Sequence, residues 1–439
     1  MKKLTFLLLT LLFLFGLASC SQDADSAEQP SKLPTRKLNV YNWGEYISDE
    51  DDEEYGLIDV NATFTEYFNE NLADKYGFYI EVNYTTYATN EDMYAKLTNS
   101  AVAYDIVIPS DYMIQKMINE NLLMEIDTSR LSNYKNINEQ FKNLYYDKTN
   151  SYSVPYTYGM LGVIYNSEFV DEADVKEQSW NILWNEKYKG KILQFNNPRD
   201  AFGTAMYFEG LDVNSKNYAD WDRALELLLK QKPLLQGYVN DEIFNKMQGA
   251  SAYIAPYFAG DFLTMSSENE DLQFYYPKEG TNYFVDAMCI PTTSKNPDIA
   301  HEYINYMLSE DAAIANSLYI GYASPNNAVV SSEYYREMLS YNYSVSAWDI
   351  LYSKDKESAN ENYNFNPAYE DFYKSDDVNI QQYTTSLWEN LKTENSTELW
   401  VHITTAVIVI SLIAFFSYDV YIKKKRSRDY RYRDRIKKR

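Results

Sequence analysis

The chain has 439 residues, of which 40 are basic and 64 acidic, giving a formal charge of −24. That balance argues against a nucleic-acid partner, and a hydrophobic fraction of 45% excludes a mainly disordered protein. Tyrosine is abundant, with 44 copies. Each of them joins an apolar face to a hydrogen-bonding tip.

The N-terminus opens with Lys2 and Lys3, an apolar run from Leu4 to Phe15, and small residues leading to Cys20. This layout predicts a secretory signal over residues 1–19. The segment Leu17-Ala18-Ser19-Cys20 resembles a bacterial lipobox, which implies acylation of Cys20 as the mature N-terminus. Residues 20–36 are polar and Pro-containing, as a lipidated tether requires. The run KLNVYN (37–42) reads as a strand and ends at Trp43, Glu45 and Tyr46. Residues 47–60 read as an acidic, solvated loop insertion without the alternating acids and central Gly of a calcium loop.

Short strand-like runs then alternate with helical patterns, which predicts an α/β fold with mixed sheets. The strand candidates are FYIEVNY (78–84), YDIVIPS (104–110), GVIYN (162–166), KILQF (from Gly190 to Phe195), SAYIAPY (251–257) and FVDAMCIP (284–291). Helical patterns include EDMYAKLTNS, DYMIQKMINENL, YADWDRALELLLK and DIAHEYINYMLSEDAAIANSL, while 331–380 suggests irregular chain around short helices. Ligands of open α/β sheets bind beyond the carboxyl ends of the strands. Ser110 and Tyr112 after IVIP, and Asn197 and Asp200 after ILQF, join Trp43 at such ends. The pattern points to one cleft lined from several strands.

At the C-terminus, residues 399–422 are apolar over the length of a spanning helix, with Trp400 at one edge and Tyr418 and Tyr421 at the other. The tail 423–439 has eleven basic and two acidic residues, which by the positive-inside rule is cytoplasmic. Without that tail and the signal lysines, 27 basic and 62 acidic residues remain, so the outer part is near −35. Such a surface attracts cations. Of the two cysteines, Cys20 is spoken for by lipidation and Cys289 reads as a small buried hydrophobe. The two histidines, His301 and His402, stand apart, and the catalytic and metal-binding motifs HExxH, CxxC, GxSxG and the Walker loop are missing. No enzyme, cofactor or metal is expected.

Seven segments in order carry a family resemblance: LNVYNWGEY, TYATNEDMYAKL, AYDIVIPSDYMIQKM, YSVPYTYGMLGVIYN, SWNILWNEKYKGKILQFNNPRDAFGTAM, FYYPKEGTNYFVDAMCIPTTSKN and IGYASPNNA. The chain from about Leu38 to Lys392 resembles the bacterial spermidine/putrescine-binding proteins, the receptors of polyamine ABC importers. The resemblance implies a two-lobed, periplasmic-binding-protein-like (type II) flytrap; the one C-terminal transmembrane helix read from residues 399–422 is an addition that the usual family member lacks. It implies a first lobe of 37–158 with 285–330 and a second of 159–284 with 331–392. It also implies a ligand set of Trp43, Glu45, Tyr46, Ser110, Tyr112, Asn197, Asp200, Phe284, Asp286 and Tyr322, with an aromatic at Tyr257 or Phe258 and Asp261 beside it. Three positions depart from the family pattern. Asn197 stands where spermidine binders often carry an acid, Phe284 replaces a Trp, and the family's late Gln falls near Glu389.

The chemistry agrees with these residue types. A polyamine alternates ammonium groups with methylenes, and a buried unpaired charge is costly. Carboxylates such as Asp286, Asp200 and Glu45 satisfy the ammoniums through charge-assisted bonds. Flat rings such as Trp43, Tyr46 and Tyr112 wall the methylenes and add cation–π attraction of about 0.5–2 kcal/mol each. The expected function is an extracellular receptor delivering polyamines to an ABC permease. The alternative is a membrane-anchored binding protein or sensor for a different small cationic or polar solute.

Overall fold

The computed structural model describes residues 33–99, 102–343, 347–352, 378–393 and 398–437. The signal, Cys20 and most of the tether lie outside them. The tether ends earlier than the sequence suggests, because strand β1 (Thr35–Trp43) already pairs Thr35 with Tyr79.

Two sheets are formed. In the first, β1 lies between β2 (Tyr79–Tyr87) and β3 (Ile106–Val107), all parallel. The second orders β6 (Leu235–Val239), β5 (Ile192–Phe195), β7 (Ile254–Phe258), β4 (Val154–Asn166) and β8 (Leu272–Tyr275). Here β5 runs parallel to β6 and β7, and β4 runs antiparallel to β7 and β8. Buried strands such as IleLeuGlnPhe of β5 bury every side chain, as strands covered on both faces do.

Strand β4 joins the two halves. Its first part, Val154–Met160, pairs with β9 (Tyr283–Met288), while Leu161–Asn166 belong to the second sheet. β9 touches the first sheet through Val107–Cys289 and Ser110–Asp286 bridges. β4 changes partner at Met160/Leu161 and β9 starts at Tyr283, where the sequence reading put its lobe crossings at 158/159 and 284/285. The C-terminal portion divides differently from that reading. Helix Glu333–Asn342 is tied to the first lobe, since Tyr341 donates to Glu54 and Asn342 to the Tyr55 carbonyl. Helix Ala347–Tyr352 accepts at Ile350 from Tyr276 of the second lobe, against which Val378–Thr393 also packs.

Several elements differ from the sequence pattern. YDIVIPS keeps only Ile106–Val107 as ladder, because Pro109 cannot donate to one. The long helical run after Asp298 breaks into Pro297–Met307 and Glu310–Ile320, with Ser309 in extended conformation between them. The acidic insertion is a turn closed by an Asp52–Leu57 bridge. Its Asp59 caps helix Val60–Asn71 by accepting from the Ala62 amide at 2.8 Å. Helix Glu398–Lys437 carries one stretch, Thr405–Lys425, long and apolar enough to cross a membrane, and its described side chains are exposed except the half-buried Ile422.

Candidate functional site

The carboxyl ends of the parallel strands from both sheets face each other across a cleft. Each end turns sharply and delivers polar and aromatic side chains to it. After β1 the chain bends at Gly44, where an added Cβ would sit 3.0 Å from the Asp241 carboxylate of the opposite lobe. Glu45 takes a left-handed backbone conformation, φ 49°. For a non-glycine residue that costs roughly 1–2 kcal/mol. It reverses the chain so that Tyr46 points inward and Glu45 stays exposed at the mouth.

After β5, Asn197 caps helix Pro198–Glu209, accepting from the Asp200 amide at 2.8 Å and donating back to its carboxylate at 2.9 Å. Asn197 therefore holds Asp200 in place. After β7, Gly260 opens helix Ala259–Glu268, and a Cβ there would collide with the Tyr322 ring. Tyr322 stands over that gap and donates to Asp261 at 3.0 Å.

These turns enclose a cavity of about 930 Å³ including its open mouth. Every site residue read from the sequence lines it: Trp43, Glu45, Tyr46, Ser110, Tyr112, Asn197, Asp200, Tyr257, Phe258, Asp261, Phe284, Asp286 and Tyr322. Tyr257 and Phe258, between which the sequence could not choose, both do. Glu389 is not among the lining residues.

The rings form a wall. Trp43 leans on Tyr87 at 4.7 Å and its indole N–H donates to the Ile108 carbonyl at 2.9 Å. Tyr46 meets Tyr322 edge-on at 5.0 Å, and Phe258 meets Phe284 edge-on at 5.4 Å.

The charges are unequal in number: six carboxylates (Glu45, Glu91, Asp200, Asp241, Asp261 and Asp286) line the cavity with one guanidinium, Arg199. Asp286 is 4% exposed and accepts from Tyr46 at 2.8 Å through Oδ2, while its Oδ1 has no hydrogen-bond partner among the described residues. Burial pushes this carboxyl up to about 7, the Ser110 and Tyr46 hydroxyls opposing the shift only in part. Burial pushes Asp261 up to about 8, opposed by the Tyr322 hydrogen bond and assisted by the like charge of Asp241. Burial likewise raises Asp200 and Glu91, with the Arg199 charge acting against it. Carboxylates raised by desolvation favour a cation that restores their ionised form.

Glu91, Arg199 and Asp241 were not singled out in the sequence. Glu91 follows the end of β2, Arg199 stands one residue before Asp200, and Asp241 follows β6. The strand-end rule reaches Glu91. It could not reach Asp241, since LeuGlnGlyTyrVal lacks the alternation by which β6 would be recognised. Away from the cavity, His301 and Cys289 serve the fold. His301 Nε2 accepts from the Asp127 amide at 3.1 Å, and Cys289 is wholly buried. Among the described residues no group of acids, histidines or cysteines is placed to hold a metal.

Comparison with known proteins adds three kinds of likeness. A family model for bacterial extracellular solute-binding proteins matches residues 64–337. The spermidine/putrescine-binding periplasmic protein of Salmonella typhimurium is 32% identical over 292 residues, 66% of this chain and 78% of that one. The putrescine/cadaverine-binding protein of Pseudomonas aeruginosa is 27% identical, over 67% of this chain and 80% of that one. Among solved structures, the spermidine/putrescine ABC transporter substrate-binding protein PotD of Streptococcus pneumoniae is 32% identical with a TM-score of 0.58, covering 81% of this chain and 98% of that one.

Proposed function

Because the chain belongs to the bacterial extracellular solute-binding proteins, a family of transport receptors rather than of enzymes, we propose that its cleft captures a polyamine, spermidine or putrescine. The observation that carries this reading is the lining itself, with six carboxylates against one guanidinium and rings between them. A protonated alkylamine exchanges its hydration for carboxylates at its nitrogens and ring faces along its methylenes. Asp286 is the central acceptor, with Oδ1 left for an ammonium while Oδ2 holds Tyr46. Asp261 and Asp200 serve from the second lobe, and Trp43, Tyr46, Phe258, Phe284 and Tyr322 supply the walls. Ligand contacts made from both lobes favour the closed arrangement over the open one.

In this reading the loaded receptor delivers its amine to the permease of an ABC importer. Acylated Cys20 and the helix through Thr405–Lys425 hold it at the membrane, with lobes outside and basic tail inside. Two anchors raise the effective concentration of receptor beside its permease. Calorimetry of the full chain against putrescine, spermidine and uncharged diols tests the ligand class. Binding of the amines and not of the diols is expected, and silence toward every amine would overturn it. The anchors are tested by fractionation. Cys20→Ala alone is expected to leave the chain in the membrane fraction, and removal of residues 398–439 in addition to release it.

A further inference from the structure

One ion pair spans the cleft. Arg199, at the start of helix Pro198–Glu209 in the second lobe, places Nη2 3.8 Å from Oδ1 of Asp111 in the first lobe, each side chain 5% exposed. Its guanidinium carbon stands 4.0 Å over the Tyr112 ring. The other ion pairs seen among the described residues join side chains within one lobe, none of them with both partners so buried.

Both halves of the contact are set in advance. Asp111 accepts from the Tyr112 amide at 2.6 Å and from the Val285 amide of β9 at 3.2 Å. The Tyr112 hydroxyl receives a bond from Asn90 at 2.9 Å and donates to Glu91 at 3.1 Å. Arg199 stands in the first turn of the helix that Asn197 caps. If the lobes part, the guanidinium leaves Asp111 and Tyr112, and both charges return to water.

We propose that Arg199 is a positioning residue for ligand capture, closing the cleft by docking on Asp111 and Tyr112 across it. The inference rests on the reading that the cleft closes on an amine, and deepens it. The cavity has an excess of like charges facing one another from the two lobes, with Glu45 on one side and Asp241 and Asp261 on the other. That repulsion opposes closure in the absence of a ligand. Arg199 supplies an attraction between the lobes that the ligand does not have to provide. Its field also opposes the burial-driven rise of Glu91 and Asp200. A planar guanidinium can face a carboxylate while stacking on a ring, which a lysine cannot do.

The test uses the full chain in detergent with putrescine as the probe. In Arg199→Gln, dissociation of putrescine is expected to be at least about 10-fold faster, with association changed by no more than about threefold, because lost closed-state contacts appear in the off-rate. The melting temperature of the unliganded protein should stay within about 2 °C of wild type. Asp111→Asn should act in the same direction, and the double variant should lose less than the product of the two single effects. Arg199→Lys should fall between wild type and Arg199→Gln. Unchanged dissociation in Arg199→Gln and Asp111→Asn would overturn the inference. So would fully independent effects in the double variant, or a fall in unliganded melting temperature as large as the liganded one. Failure of the wild type to bind any amine would overturn the amine reading itself, a different outcome from amine binding that ignores residue 199.

Discussion

The carboxylates in and behind the cavity wall are held in two different ways. Asp111, behind the lining, is paired with Arg199, whose charge also acts against the burial of Glu91 and Asp200. Asp286 and Asp261 instead receive hydroxyl donors from Tyr46 and Tyr322, and burial pushes them up to about 7 and 8, the Arg199 charge opposing that rise at Asp286 only as its smallest cause. The same residue type is thus used as a finished structural pair in one place and as an acceptor for an added cation in the other. A buried carboxylate without a resident cation marks the ligand's position more sharply than acidity alone.

The largest effect that tests this contrast is expected at Asp286. Asp286→Asn should weaken putrescine binding by roughly 30-fold or more, since truncating one partner of a buried charge pair costs about 2–5 kcal/mol and 1.4 kcal/mol is tenfold. Asn can still accept from Tyr46, so the unliganded variant should be at least as stable as wild type above pH 7. A loss of stability there would mean that Asp286 belongs with the structural carboxylates.

Next in size is Gly260→Ala. Its methyl group would displace Tyr322 from Asp261, and affinity should fall by about 10-fold, the worth of one charge-assisted hydrogen bond. Unaltered calorimetry would show that Tyr322 has no part in the wall. Smaller still is Glu45→Gln at the exposed mouth, expected within about threefold because exposed charges are worth little.

A pH series separates the two groups further. The folded-state values of Asp286 and Asp261 are raised from 3.8 to about 7 and about 8. The native state therefore holds protons that the unfolded chain gives up. Their contribution to stability is complete below the unfolded value near 3.8 and is lost as pH rises through 7 and 8. Unliganded protein should melt at progressively lower temperature from pH 5 to pH 8.5 (about the window those values define), and saturating putrescine should flatten the slope. A slope that putrescine leaves unchanged would detach these carboxyls from the ligand.

Much of the site could be read before any coordinates. Each of Trp43, Ser110 and Asp200 follows an apolar run whose strand character is plain, and strand ends in such sheets converge. Asp286 and Tyr322 came from the family resemblance alone, since a single Asp within FVDAMCIP looks like any strand residue. Arg199 carries no such mark: its neighbour Asp200 fits the ammonium chemistry, and one sequence offers no signal that two lobes share an ion pair. The divided helix around Ser309 shows the same limit on the fold side. Its apolar spacing runs on through the break, and only packing decides where the chain turns.

The central claim is that the cleft recognises charge on a methylene chain. Calorimetry of the full chain against putrescine and the equally long, uncharged 1,4-butanediol tests it most directly. Saturable binding of the diamine, with no heat from the diol and with protons released near neutral pH as Asp286 and Asp261 ionise, is the predicted result. Comparable binding of both compounds, or of neither, would contradict it.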